Sequence, residues 1–220
     1  MAPARLLLAL LLALGLAAAD DDTALVYLFR HAECNMPACG VHLCRSGISR
    51  ARYLPSLFAG AGGRRTLRPP LALYALDPSR APYFAREYET FIPLASSLNL
   101  TINATFGRGD EARLAASILD HGLSPGAATA VCWRHTQIGA VAAALGCTPS
   151  MSGRCVPYAW PTSDYTSYLV LELGVLDRSV RSVSVLPMAF TPLCDTPSEL
   201  ALGACTSPSS PGSCVNATSA

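Results

Sequence analysis

The segment Leu25-Val26-Tyr27-Leu28-Phe29-Arg30-His31-Ala32-Glu33 is an apolar run, rich in β-formers, that ends in an arginine-histidine pair. A run of this length reads as a strand of a parallel sheet, buried on both faces, where no solvent side imposes polar alternation. In open α/β sheets the ligand crevice lies beyond the carboxyl ends of the strands. Arg30 and His31 are thus the first polar groups to reach the place where a ligand would bind. A second run, Ala128-Thr129-Ala130-Val131-Cys132-Trp133-Arg134-His135, repeats the pattern late in the chain. Two strand ends that each present Arg-His point to an anionic ligand and a nucleophilic or acid-base histidine.

Outward from these strands, the spacing of apolar residues predicts helices between them. Ser46 to Phe58 places Ile48, Ala51, Leu54 and Phe58 on one face. Tyr83 to Leu98 places Phe84, Tyr88, Phe91, Leu94, Ala95 and Leu98 at helical intervals. Asp110 to Leu119 is a third helix, with Asp110 and Glu111 at the positive end of its dipole. An alanine-rich helix follows Trp133 and closes near Gly146. Leu71-Ala-Leu-Tyr-Ala reads as a short buried strand. Tyr168 to Leu173 and Ser182 to Leu186 read as two late strands forming a hairpin at one edge. Strands alternating with helices imply an α/β protein, a three-layer α/β/α sandwich with a mainly parallel central sheet.

The chain has 220 residues and is 51% apolar, enough for one domain with an ordinary core. Part of that apolar excess is amino-terminal. Residues 1–19 carry a single charge, Arg5, then an almost unbroken run from Leu6 to Leu16, then three alanines before three aspartates. That is the layout of a secretory signal peptide cleaved after Ala19, with an uncleaved anchor as the alternative. Its apolar core is too short for a comfortable span, and no other long apolar segment follows, so no stable membrane insertion is expected after cleavage. Every fixed positive side chain is an arginine, since the sequence has no lysine. Without Arg5 the arginines balance the fifteen acidic residues, which gives no basic face for nucleic acid. Arginine suits bidentate contact with phosphate or carboxylate.

Nine cysteines fit an oxidising compartment. Cys132, inside an apolar strand, is the candidate for the unpaired one, and Cys147-Cys155 is a plausible local pair. A zinc cluster of Cys34, Cys39, His42 and Cys44 is a rival reading, but its spacing matches no ordinary ligand pattern. His42 and His121 read as surface residues. Residues 193–220, rich in Ser, Pro, Thr and Cys, read as a tail outside the core, leaving 20–192 as the domain. Asn99, Asn103 and Asn216 head glycosylation sequons.

Several of these residues resemble a known family. Arg30-His31-Ala32-Glu33 after a strand, Arg86 with Thr90 four residues on, and Trp133-Arg134-His135 resemble the histidine phosphatase superfamily, in its phosphoglycerate-mutase-like branch. Leu43-x-x-x-Gly47-x-x-Arg50-Ala51 resembles the first helix of those proteins, and Trp160-Pro-Thr-Ser-Asp-Tyr165 a segment of small secreted or bacterial relatives. The likeness spans roughly residues 24 to 186.

The resemblance implies a secreted phosphatase working through phosphohistidine. His31 would attack phosphorus, its other ring nitrogen held by a backbone carbonyl. Arg30, Arg86 and His135 would bind the phosphoryl oxygens and absorb the charge that develops there. A guanidinium pair and an imidazolium supply that stabilisation, and the scheme requires no cofactor or metal. Arg80 competes with Arg86 for the second guanidinium position. In relatives a carboxylic acid protonates the leaving group, either just after the second histidine or in a loop before the third helix. Here Thr136-Gln137-Ile138 follows His135, so Asp110 and Glu111 are the candidate acids, with Glu33 behind them; helix capping is the competing role for the first two. The substrate would be a phosphorylated small molecule or phosphopeptide. The alternative is a non-catalytic anion-binding module that keeps the pocket and has lost the acid.

Overall fold

The computed structural model describes residues 22–34, 41–59, 67–80 and 85–190. The proposed signal peptide and the tail from 193 lie outside the described residues, as does Cys39. Strands β1 (Thr23–Arg30), β2 (Ala72–Leu76), β3 (Ile102–Phe106), β4 (Ala128–Trp133), β5 (Ser167–Gly174) and β6 (Val180–Pro187) form one sheet in the order β3-β2-β4-β1-β5-β6. Helices α1 (Arg45–Tyr53), α2 (Ala85–Leu98), α3 (Glu111–His121) and α4 (Ile138–Ala144) connect them, with a 3-10 turn over Leu54–Leu57 after α1. β1 runs parallel to β4, and β2 runs parallel to both β4 and β3. β5 pairs antiparallel with β1, and β6 with β5, which is the edge hairpin expected from the sequence.

The apolar run of β1 has no polar alternation because both faces of the strand are covered. Val26 and Leu28 pack with Val131 and Trp133 of β4 against Leu114 and Ile118 of α3 and Val141 of α4. Tyr27 and Phe29 turn the other way, onto Leu54, Phe58 and the α2 residues Phe91 and Leu94. The two cores on opposite faces of one sheet make the three layers. Cys132, also on the α2 side, is buried and free. Cys147 and Cys155 form the local disulfide expected from their spacing, and Cys44 is disulfide-bonded as well.

Sequence spacing misses β3. Ile-Asn-Ala-Thr-Phe has only its two ends buried, and it lies at the edge of the sheet. A short strand with one partner needs little apolar patterning, so none is left to read. The stripe on α2 is also displaced from its expected phase. Phe91, Leu94 and Ala95 are buried as expected, but Tyr88 is only partly so, and the buried row continues toward the amino end through Thr90, Glu87 and Arg86. A polar helix start is being driven into the protein.

Behind β1, α1 approaches the backbone closely. A Cβ on Gly47 would sit 2.1 Å from the carbonyl oxygen of Glu33, so only glycine fits there. This contact brings Arg50 onto Glu33, whose carboxylate accepts from Arg50 Nε at 2.9 Å to each oxygen and from Nη2. Both side chains are largely buried. Glu33, third among the candidate acids, is thus spent on holding the loop after β1 to α1.

Candidate active site

The parallel pairing of β1 with β4 puts Arg30 opposite Trp133. The chain therefore releases His31 from one strand and Arg134-His135 from its neighbour at the same end of the sheet. The imidazole rings of His31 and His135 lie edge to face with centroids 6.1 Å apart. Two segments far apart in sequence become one site because the sheet holds their strands side by side.

His31 is buried, and its Nδ1 lies 2.8 Å from the carbonyl oxygen of Ala32. A carbonyl can only accept, so Nδ1 carries the proton and Nε2 keeps the lone pair. The carbonyl is itself held in place. Ala32 N–H donates to Thr90 Oγ1 at 2.9 Å, and that hydroxyl donates to the carbonyl of Arg86 at 2.6 Å. Thr90 thereby ties the loop after β1 to the first turn of α2. Burial, then the charges of Arg30 and Arg86, press the His31 pKa well below its usual value, with His135 adding a smaller push. The ring is a neutral base at physiological pH, which a nucleophile must be.

Arg30 is a brace as well as a charge. Its Nη1 donates to the carbonyls of Thr162 at 2.6 Å and of Pro161 and Asp164 at 3.2 Å. Its guanidinium lies flat over Tyr165, 3.6 Å from the ring centroid, and Tyr165 in turn meets the His31 ring edge to face. The Trp160–Tyr165 segment so clamped is stiffened from within. Trp160 Nε1 donates to the Asp164 carbonyl, and Arg154 pairs with the Asp164 carboxylate. Arg30 Nε is buried with no hydrogen-bond partner among the described residues. A buried orphan donor beside the His31 ring is what an oxyanion would satisfy.

Arg86 is buried at the start of α2 and acts on both His31 and His135. Arg80 is exposed and occupied with Asp77 and Asp110. Of the two arginines, Arg86 is the one brought to the histidines. His135 requires a correction to its expected charge. Burial, followed by Arg30, Arg134 and Arg86, lowers its pKa to about 4, so at neutral pH it is a neutral imidazole and not an imidazolium. Its Nδ1 is buried without a partner among the described residues.

The two candidate acids separate. Asp110 accepts from Gly107 N–H, Arg80 and Arg113. Those contacts, Gly107 first, hold its carboxyl below the usual range, which suits a structural carboxylate better than a proton donor. Glu111 accepts from the indole N–H of Trp133 at 3.2 Å and from Gly109 N–H at 3.3 Å. Its tie to the residue preceding Arg134-His135 leaves it the better placed of the two.

The sequence reading overlooks Glu87. It is fully buried, with Oε1 4.0 Å from His31 Nε2. The signal was there: Glu87 stands one turn before Phe91 and two before Leu94, on the apolar face of α2, where a glutamate needs a reason. His42, expected at the surface, is also engaged. Its Nδ1 contacts Glu89, whose other oxygen accepts Leu43 N–H at 2.9 Å, pinning the loop before α1 to α2.

No family model and no curated protein matches the chain. Solved structures do. A structure of the protein histidine phosphatase SixA complexed with tungstate superposes with a TM-score of 0.50 at 15% identity, covering 74% of this chain and 96% of that one. A mycobacterial glucosyl-3-phosphoglycerate phosphatase complexed with inorganic phosphate gives a TM-score of 0.44 at 16% identity, covering 76% and 97%. The fold is that of the histidine phosphatases. Among the described residues, no helix is long and apolar enough to cross a membrane.

Proposed function

We propose that this chain is a secreted phosphatase that hydrolyses phosphate monoesters through a phosphohistidine at His31. The observation that carries it is the opposed pair His31 and His135, with the first ring oriented by Ala32 and both kept neutral by burial and then by the neighbouring arginines. In this scheme His31 Nε2 forms the bond to phosphorus as the bond to the ester oxygen breaks. Water then takes the phosphoryl group and restores the histidine. Arg30, Arg86 and His135 hold the equatorial oxygens, where positioning and charge stabilisation supply most of the catalysis. Incubating the purified chain with a panel of phosphate esters and small phosphopeptides, while following released phosphate, tests it directly. Tight phosphate binding with no turnover on any ester would favour the non-catalytic anion-binding module instead.

Glu111 is proposed as the donor to the leaving alkoxide. Glu111→Gln should slow alkyl phosphates by about 10²–10⁴-fold, the usual worth of general acid help, and leave activated aryl phosphates nearly unchanged. Equal losses on both would reduce Glu111 to a support for Trp133.

Secretion rests on the amino-terminal layout and the cysteines. The mature chain should begin near Asp20, carry disulfides and be glycosylated at Asn99, which is exposed just after α2. Amino-terminal sequencing and thiol titration of protein from a secreting host check this, and an intact Met1 with nine reactive thiols would reject it.

A further inference from the structure

We propose that the pocket binds its oxyanion together with one proton, and that Glu87 carries that proton. This rests on the reading of the pocket as an oxyanion site and adds what governs its occupancy. Glu87 is completely buried, neither of its carboxylate oxygens has a hydrogen-bond partner among the described residues, and Oε1 lies 4.0 Å from His31 Nε2, the atom that would meet phosphorus. A carboxylate stripped of water favours its neutral form. Burial pushes Glu87 up to about 7, against the opposing pull first of its own backbone amide and then of Arg86, Arg134 and Arg30.

The groups around Glu87 are Arg30 and His31 from the end of β1, Cys132 on β4 with Arg134 after it, and Arg86 on its own helix, with His135 reaching the set through the His31 ring. Near neutral pH both histidines are already neutral and the Cys132 thiol is pushed up and protonated. Glu87 is left as the member of this set that changes charge there. An arriving dianion sets two negative charges within a few ångströms of it. At the effective dielectric of a protein interior, that repulsion costs well over about tenfold in affinity when Glu87 is ionised. The complex therefore keeps Glu87 protonated, and above its free pKa each anion bound must bring in a proton.

Sulfate is the probe, because it stays a dianion across the neutral range and contributes no proton of its own. Its affinity is measured calorimetrically on the purified chain, in pairs of buffers with different ionisation heats, from about pH 5.5 to 9, a range below the ordinary Arg titration. The expected result is a steady Kd below about pH 7, then about tenfold weakening per pH unit, with one proton taken up per sulfate. Glu87→Gln, neutral and nearly isosteric, should bind with a Kd independent of pH. A wild-type Kd flat with pH, or a slope that survives in Glu87→Gln, overturns the role of Glu87 while leaving the oxyanion site standing. No sulfate binding at any pH overturns both. The wild-type proton count stands without the variant if Glu87→Gln does not fold.

Discussion

His31→Ala should abolish both turnover and a trapped covalent phosphate, while His135→Ala should slow transfer by about 10²–10³-fold, the usual effect of removing one preorganised oxyanion donor. The asymmetry follows from geometry. The carbonyl of Ala32 fixes the tautomer of His31, leaving a lone pair on Nε2; among the described residues nothing anchors His135 in this way, and its Nδ1 lacks a partner there. The label has a chemical signature, since a phosphoramidate is lost in acid and survives alkali, unlike phosphoserine. Rapid acid-free quenching with labelled substrate, followed by peptide mapping, would place it. A wild-type chain that turns over esters without ever labelling, and keeps its activity in His31→Ala, would end the phosphohistidine scheme.

Arg50→Ala should be the most damaging substitution away from the histidines, by about 3–5 kcal/mol. It strips the buried Glu33 carboxylate of the guanidinium that meets both of its oxygens. Against a total of about 5–15 kcal/mol for an ordinary domain, that loss is severe. Removing both partners, as Glu33→Gln with Arg50→Met, should cost far less, because no uncompensated charge is left behind. Urea denaturation of the single and double variants measures the difference. A single-variant loss under about 1 kcal/mol would show that the pair is solvated in solution.

Much of the architecture was legible in short runs. The apolar stretch before Arg30 and its twin before Arg134 announce buried parallel strands, because a strand covered on both faces cannot alternate. Helical spacing places α1, α3 and α4 close to where they lie. Edge strand β3 escapes, since one partner and one shielded face demand little of its side chains. On α2 the apolar residues were found, but its phase was set by Phe84 and Tyr88. The buried row instead runs through Arg86, Glu87 and Thr90, polar residues that a hydrophobic pattern discards.

Local sequence carries what depends on neighbours in the chain: the strand and helix periods, the Arg-His pairs at strand ends, and the glycine at position 47 four residues after Leu43. Three features depend instead on the packed molecule. The pairing of β1 with β4 sets the two histidines 6.1 Å apart. The shared burial of Arg30, Arg86 and the two rings makes both histidines neutral, which removes the imidazolium expected of His135. The insertion of Glu87 beneath His31 places a titrating acid in the pocket. Each is a consequence of distance and desolvation between residues remote in sequence, and a linear pattern holds neither quantity.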